Sequence, residues 1–347
     1  MRIINVGFIG TGGIGAFHAT GMAAAPERFR MLAASDAHAP GLAQFSDRFA
    51  IPRRHADYRK ILEDPAIDAV VVLLPHHLHV EACVQAFAAG KHVLVEKPIA
   101  RTLPEAERII AAGRQARRTL MVGFNQRYDG RHRAIKRLID ANAIGEVFTA
   151  RIDHFQHFHP PQQSWWRSLE AVGGGCVIGS GIHRLDLLRW YFGEASEVFA
   201  QLSWDPSRLE GEVACAATIR FHQGASVDFL CNWGVHRAPH GESLMVFGRS
   251  GSLLVQGGEA GLQHLPPDHQ PTPLIPEPAS MWNHFHDCIE TRAEPLTSGD
   301  EGLRSLALVL AVVRAGREGR PLRLDKNGAV IEAAKDAKPM AVATHAG

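Results

Sequence analysis

Ile3-Ile-Asn-Val-Gly-Phe-Ile9 runs straight into Gly10-Thr11-Gly12-Gly13-Ile14-Gly15, and a helical pattern continues from Ile14 to about Ala25. The apolar run reads as a buried strand. A G-x-G-x-x-G turn between such a strand and a helix is the context in which these glycines serve a dinucleotide. Gly10 permits the tight turn and Gly12 lets the backbone approach a pyrophosphate. Gly15 allows close helix packing, while the helix N-terminus faces the phosphates. A glycine-rich turn without a ligand is the alternative. The second strand, Arg30-Met-Leu-Ala-Ala-Ser35, ends on Asp36, 21 residues after Gly15. A carboxylate there accepts hydrogen bonds from both ribose hydroxyls and repels a 2′-phosphate. No Arg or Lys follows before Arg48, so NAD is preferred over NADP.

Downstream, helical and apolar segments alternate. A helix is predicted around Gly41–Ala50 and a short one after Asp57. The strand Asp68–Leu74 comes next, and Pro75-His-His-Leu-His79 opens a helix to Ala89. Val93-Leu-Val95 is a further buried strand that stops on Glu96-Lys97-Pro98, because proline cannot continue a central strand. Thr102-Leu-Pro-Glu105 is a capping box starting a helix to about Ala116, and Thr119–Phe124 is the last strand of the series. This alternation predicts an α/β, doubly wound parallel sheet over residues 1–124. Ligands of such sheets bind at the carboxyl ends of the strands, where Pro75, His79, Glu96, Lys97, Pro98 and Asn125 fall. His76, His77 and His79 do not share a helix face and have no carboxylate or cysteine set beside them, so no metal is expected.

From Asn125 the rhythm changes. A basic helix (131–141) leads into strand-like segments at 146–157, 197–204, 212–222 and 225–235, and a hairpin around Gly251. Strands without intervening helices predict a C-terminal α+β domain (125–325) with a large, mostly antiparallel open sheet. The proline-rich residues 257–279 read as a loop, and helices are predicted near 280–292 and 300–317, the second packing back on the first domain. Residues 326–347 read as a loosely ordered tail.

The length of 347 residues fits two domains. Lysine plus arginine (37) balances aspartate plus glutamate (36), which gives no electrostatic footprint for nucleic acid or an anionic membrane. The apolar stretch Leu306–Val313 is too short to span a bilayer. The N-terminus enters a strand directly, without the pattern of a signal peptide. Five scattered cysteines with no C-x-x-C fit reduced thiols in a cytoplasmic chain.

Gly173-Gly-Gly175 precedes a helix whose apolar stripe is Leu185, Leu188 and Phe192. His183 and Asp186 stand at i and i+3, where a carboxylate can orient an imidazole suited to take a hydroxyl proton. A helix histidine with a surface aspartate partner is the bland reading. Upstream, His154, His157 and His159 fall on a strand and its exit, and Trp165-Trp166-Arg167 lies in the next loop. Polar rings beside tryptophan faces suit polyol recognition, with His154 and Trp166 the chosen contacts. A plain core role for the tryptophans is the alternative.

The order Gly10-x-Gly12-x-x-Gly15, Glu96-Lys97-Pro98, Gly123-Phe-Asn-x-Arg127, Gly173-Gly-Gly175 and Gly181-Ile-His183-x-x-Asp186 resembles the Gfo/Idh/MocA oxidoreductases, the glucose–fructose oxidoreductase and inositol dehydrogenase relatives. The resemblance covers residues 3 to about 325. It implies NAD-dependent hydride transfer at a sugar or cyclitol carbinol, and homodimers or homotetramers built through the open sheet. It also implies Lys97 and His183 as the polar pair at the reacting hydroxyl, with Arg127 among the substrate contacts. In the expected division of labour His183 takes the hydroxyl proton and Lys97 donates a hydrogen bond to the same oxygen. One departure stands out. Inositol dehydrogenase-like members usually carry an acidic residue four positions before the motif histidine, where this chain has Gly179. Asp186 or Asp153 is left as a substitute. A redox-cycling glycosidase or lyase of the same fold, or a non-catalytic sugar or dinucleotide sensor, is the alternative function.

Overall fold

A computed structural model of the chain describes residues 2–237, 241–256, 262–265, 272–273 and 279–332. Its first sheet holds β1 (Ile4–Ile9), β2 (Phe29–Ser35), β3 (Arg53–His55), β4 (Ala69–Val72), β5 (His92–Val95) and β6 (Leu120–Val122). The order is β3-β2-β1-β4-β5-β6, parallel throughout. The short β3 escaped the sequence pattern because Arg53-Arg54-His55 is polar and lies at the sheet edge. The chain leaves β1 toward one edge for β2 and toward the other for β4. The crevice at this reversal opens at the carboxyl ends of β1, β4 and β5, which carry Gly10, Leu73 and Glu96.

A second sheet holds β7 (Val147–Phe155), β8 (Ala195–Trp204), β9 (Glu212–Phe221), β10 (Ser226–Asn232), β11 (Glu242–Gly248), β12 (Gly251–Gln256), β13 (Leu262–Leu265), β14 (Thr272–Pro273), β15 (Leu322–Leu324) and β16 (Val330–Ile331). The order is β14-β13-β12-β11-β7-β10-β9-β8-β15-β16, antiparallel except where β10 pairs with β7. Two expectations change. The proline-rich region contributes β13 and β14 at one edge, where Pro273 is tolerated because an edge strand can do without a ladder donor. The rest of that region lies outside the described residues. The tail begins with β16 on β15, and residues 333–347 are likewise outside the described residues. The five cysteines are free and buried.

Helix Gly299–Glu318 lies along β8 and reaches the first domain. A Cβ at Gly302 would meet Val122 at 2.8 Å, and one at Gly299 would meet Leu120 at 2.6 Å. Helix Met281–Thr291 packs on the first domain too, through Met281, Phe285 and Ile289. A buried ion cluster ties the chain just beyond the first domain to two helices of the second. Arg127, from the turn after β6, makes two hydrogen bonds to Asp186 (2.7 and 2.8 Å) and one to Glu301 at 2.8 Å. Ser305 Oγ donates to the same aspartate at 2.7 Å. Arg127 is 2% exposed and Asp186 1%. Burial works against the guanidinium's charge, but the two carboxylates more than offset it and raise its pKa.

The cluster corrects two sequence-based roles. Asp186 does not orient His183, because both of its oxygens are taken by Arg127 and Ser305. Arg127 is not open to a substrate: it is 2% exposed, and four of its five N–H donors go to Asp186, Glu301 and the Leu296 carbonyl. Their task is architectural. Asp186→Ala leaves a buried guanidinium short of its principal partner and is expected to lower unfolding free energy by about 3–5 kcal/mol. Urea denaturation followed by circular dichroism measures this, and a loss below about 1 kcal/mol would contradict it.

Candidate active site

The cofactor turn is shaped by what its glycines face. Gly10 has φ +95°, and a Cβ there would sit 2.8 Å from the Leu73 carbonyl oxygen, so glycine is required on both counts. A Cβ at Gly12 or Gly13 would meet nothing within 4 Å, which leaves an open cradle at the N-terminus of helix Gly13–Ala23. No side chain caps that helix, so its first N–H groups are available to an anion. A Cβ at Gly15 would press on Phe45 at 3.2 Å. Asp36 Oδ2 accepts from Thr11 N (2.8 Å) and Thr11 Oγ1 (2.9 Å), and Oδ1 accepts from His38 N at 2.9 Å. The carboxylate is thereby fixed at the mouth of a cavity of about 290 Å³ whose walls include Ala37, Tyr58, Leu74 and Leu78. Arg59 also lines this cavity, but Asp57 holds its side chain. The donor-rich turn and the acidic ribose position fit NAD.

At the end of β5 the chain turns through a cis Lys97–Pro98 peptide. Glu96 Oε1 lies 2.8 Å from His18 Nε2, and Oε2 accepts from Lys97 N at 3.1 Å. Trp282 Nε1–H donates to His18 Nδ1 at 3.3 Å, so helices Gly13–Ala23 and Met281–Thr291 brace the turn. Burial alone would raise the Glu96 carboxyl; His18 and the Lys97 ammonium bring it below its ordinary pKa. A Cβ at Gly123 would lie 2.8 Å from Glu96 Oε1, which accounts for glycine there. Glu96 thus serves as a strut rather than a direct cofactor contact. His79, also expected at the cofactor, is fully buried, with its ring between the carbonyls of Leu74 (2.8 Å) and Pro98 (3.0 Å). It ties the ends of β4 and β5 together. Pro75 and Asn125 remain half-buried beside the crevice, and Ile14 is 40% exposed.

The second domain meets this turn through Gly173–Phe192. Gly175 packs so tightly that a Cβ would fall 2.0 Å from the Glu212 carbonyl oxygen. The buried Glu212 carboxylate accepts from Gly175 N and Val177 N, both at 3.0 Å. The triple glycine is therefore a packing device that seats a π-helical turn, Val177–Gly181, ahead of helix Ile182–Phe192. That turn presents the Gly179 carbonyl, which accepts from Lys97 Nζ at 2.7 Å. A Cβ at Gly179 would lie 2.2 Å from the Trp233 ring and 3.2 Å from Trp166. Trp233, 2% exposed, is fixed by its Nε1–H donating to Ser180 Oγ at 2.7 Å. An indole fills the volume any side chain at 179 would need, so no carboxylate can stand there. Asp153 does not replace it: it lies with Arg151 and Ser243 on the other face of β7.

His183 follows on the same helix. Its Nδ1 is buried without a partner. Burial, then the positive charges of Lys97 and Arg184, push its pKa well below the ordinary 6.5, so the ring is neutral. Burial lowers Lys97 as well, opposed by Glu96. His154 stands in the same electrostatic neighbourhood, pushed down to about 3 by burial, with Arg184 and Lys97 adding to it. Trp166 stacks on Trp165 at 4.2 Å and packs edge-on to His76, Phe158 and Trp233, forming an aromatic wall. His157 and His159 are exposed, and His157 Nδ1 lies 3.0 Å from the Val235 carbonyl. Among the described residues no three His, Cys, Asp or Glu side chains gather as a metal site. The residues missed from sequence are His18, Trp233, Trp282 and Arg184. Each is ordinary in its local pattern and gains meaning only from a partner at least 50 positions away.

An NAD-binding Rossmann-fold model of the oxidoreductase family matches residues 4–124, and the GFO/IDH/MocA C-terminal domain model matches 132–254. The chain belongs to the GFO/IDH/MocA oxidoreductase family. A 1,5-anhydro-D-fructose reductase of Ensifer adhaerens is 30% identical over 82% of this chain and 87% of its own length. The myo-inositol 2-dehydrogenase of Thermotoga maritima is 26% identical over 93% of this chain and 99% of its own length. Among solved structures, an aldose-aldose oxidoreductase from Caulobacter crescentus complexed with glycerol superposes with TM-score 0.84 at 28% identity, covering 93% of this chain and 100% of that one. A levoglucosan dehydrogenase in complex with NADH gives TM-score 0.84 at 25% identity, covering 93% and 99%. As a GFO/IDH/MocA oxidoreductase, this chain holds its lysine by a peptide carbonyl. Gly179→Ala is expected to destabilise the fold by about 1–3 kcal/mol through overpacking and to displace the Lys97 acceptor. Thermal unfolding measures the first effect. Partial recovery in Gly179→Ala with Trp233→Leu would identify the indole as the obstruction, and an unchanged single variant would refute it.

Proposed function

We propose that this chain transfers hydride between NAD and a secondary carbinol of a sugar or cyclitol, with Lys97 and His183 at the reacting oxygen. The observation that carries the reading is the Lys97 Nζ–Gly179 carbonyl hydrogen bond of 2.7 Å, which brings an ammonium from the first domain to the turn that leads into His183. NAD bound at the glycine turn supplies the hydride acceptor for the oxidation direction. The neutral His183 imidazole takes the hydroxyl proton as the C–H bond breaks and the carbonyl forms. Lys97, with two of its three N–H donors left over, stabilises the negative charge developing on that oxygen. The residues that would hold the dinucleotide are Gly10, Thr11, Gly12, Gly13, Ile14, Gly15 and Asp36, with Pro75, Pro98 and Asn125 beside the crevice. His154 and Trp166 flank the substrate, a ring nitrogen and an indole face being suited to hydroxyls and sugar C–H bonds respectively.

The outer face of the second sheet supports a homodimer or homotetramer. No described helix covers it, and Phe199 (40%) and Phe247 (37%) are exposed there. Light scattering should give two or four times 37.9 kDa; a monomer would refute this. No described helix is long and apolar enough to cross a membrane.

Lys97→Ala is expected to lower kcat by roughly a hundredfold or more while NAD still quenches intrinsic fluorescence. Turnover near the wild-type rate would refute the assignment. In the wild-type enzyme, protonation of His183 abolishes the base, so the acid limb of kcat/KM should fall below the ordinary histidine value of 6.5. Loss of the Lys97 proton removes the donor, so the alkaline limb should fall below 10.5.

A further inference from the structure

A cavity of about 360 Å³ is lined by Arg131, His132, His154, Gln156, Arg184 and Glu242. Arg184 is the residue after His183 and is 4% exposed. Among the described residues its carboxylate partner is Glu242, reached through Nη2, and its buried Nε has no hydrogen-bond acceptor. Arg127, whose partner Asp186 stands two residues beyond Arg184 on the same helix, shows what full compensation looks like: two carboxylates and a carbonyl on one guanidinium. Arg184 lacks the second anion. Glu242 Oε1 is also buried without a hydrogen bond, 3.9 Å from His132 Nε2. His132 is itself engaged by the Tyr191 hydroxyl at 2.7 Å, and Arg131 by Asp129. Arg184 and Glu242 thus line the cavity side by side, and each keeps a buried polar atom without a hydrogen bond, Nε on the cation and Oε1 on the carboxylate.

We infer that the substrate is a sugar acid, whose carboxylate completes the coordination of Arg184 while a neighbouring hydroxyl donates to Glu242. This rests on the dehydrogenase reading and names its substrate class. A guanidinium edge matches a planar carboxylate, and buried charge is tolerated only when paired. Burial lowers the pKa of Arg184 in spite of Glu242, whereas that of Arg127 is raised. The charged neighbours that act on His183 and His154 are all positive. A monoanion suits this field. A phosphate dianion would bring a second negative charge against Glu242.

Calorimetric titration of the enzyme saturated with NADH decides the matter, using a hexose, its uronic acid and its 6-phosphate. The acid should bind at least tenfold more tightly than the hexose and than the phosphate. Arg184→Gln should reduce the acid-to-hexose ratio to about one, and Arg184→Lys should retain part of it. Equal or tighter binding of the hexose or the phosphate in the wild-type protein overturns the inference, as does an unchanged ratio in a folded Arg184→Gln. The wild-type comparison decides alone if that variant fails to fold. The dehydrogenase reading is judged separately, by NADH formation when NAD is supplied with the same sugars. Absence of turnover with every sugar would remove that reading while the binding ratios still decide the carboxylate.

Discussion

A peptide carbonyl holding an ammonium is the constraint around which this molecule is arranged. Lys97 leaves the first domain at the end of β5, and its Nζ–H donates to the Gly179 carbonyl of the second. For that acceptor to stand there, position 179 must carry no side chain, because Trp233 occupies the space. For the turn to sit against β9, Gly175 must carry none either. On the opposite side, Glu96, His18 and Trp282 keep the lysine's own backbone in place. A neutral carbonyl neutralises no charge, so the ammonium retains its demand for an anion or a developing alkoxide. A carboxylate at 179 would have met that demand in the resting protein.

The buried charges divide into two kinds. Arg127 has more negative charge around it than it needs, supplied by side chains and backbone of the second domain. Such a group fixes geometry and has little left to offer a ligand. Arg184 and Lys97 have less than they need, and both act electrostatically on His183. Their position fits the general tendency of perturbed titratable groups to gather where a molecule binds. The difference does not lie in residue type, since both arginines are buried and both stand on or against the same helix. It lies in the number of carboxylates that the fold delivers.

The fold was legible because its determinants are local. Apolar runs, glycine turns and caps alternate at the spacings of strands and helices over residues 1–124, and strands without helices announce the second sheet. The open cradle at Gly12 and Gly13 and the place of Asp36 at the end of β2 were legible for the same reason, since one turn and one strand fix them. Element bounds moved by a few residues, and β3, β13, β14, β15 and β16 were missed. Each is short, at or near a sheet edge, and stabilised by pairing more than by its own composition.

The site shows where local reading ends. His183 and Asp186 are three apart on a helix, and the sequence suggested a dyad; the side chains turn to different partners because Arg127, 59 positions away, captures the aspartate. Gly179 could be seen as a missing carboxylate but not as a hydrogen-bond acceptor for Lys97, because a backbone carbonyl has no signature in the sequence. The sequence by itself determined a doubly wound first sheet, a second, mostly antiparallel one and a dinucleotide turn, since these follow from periodicity and backbone permissiveness. Tertiary structure alone decided which buried charge is satisfied and which is left wanting. That depends on contacts between residues far apart in the chain, and on the volume that neighbouring side chains leave.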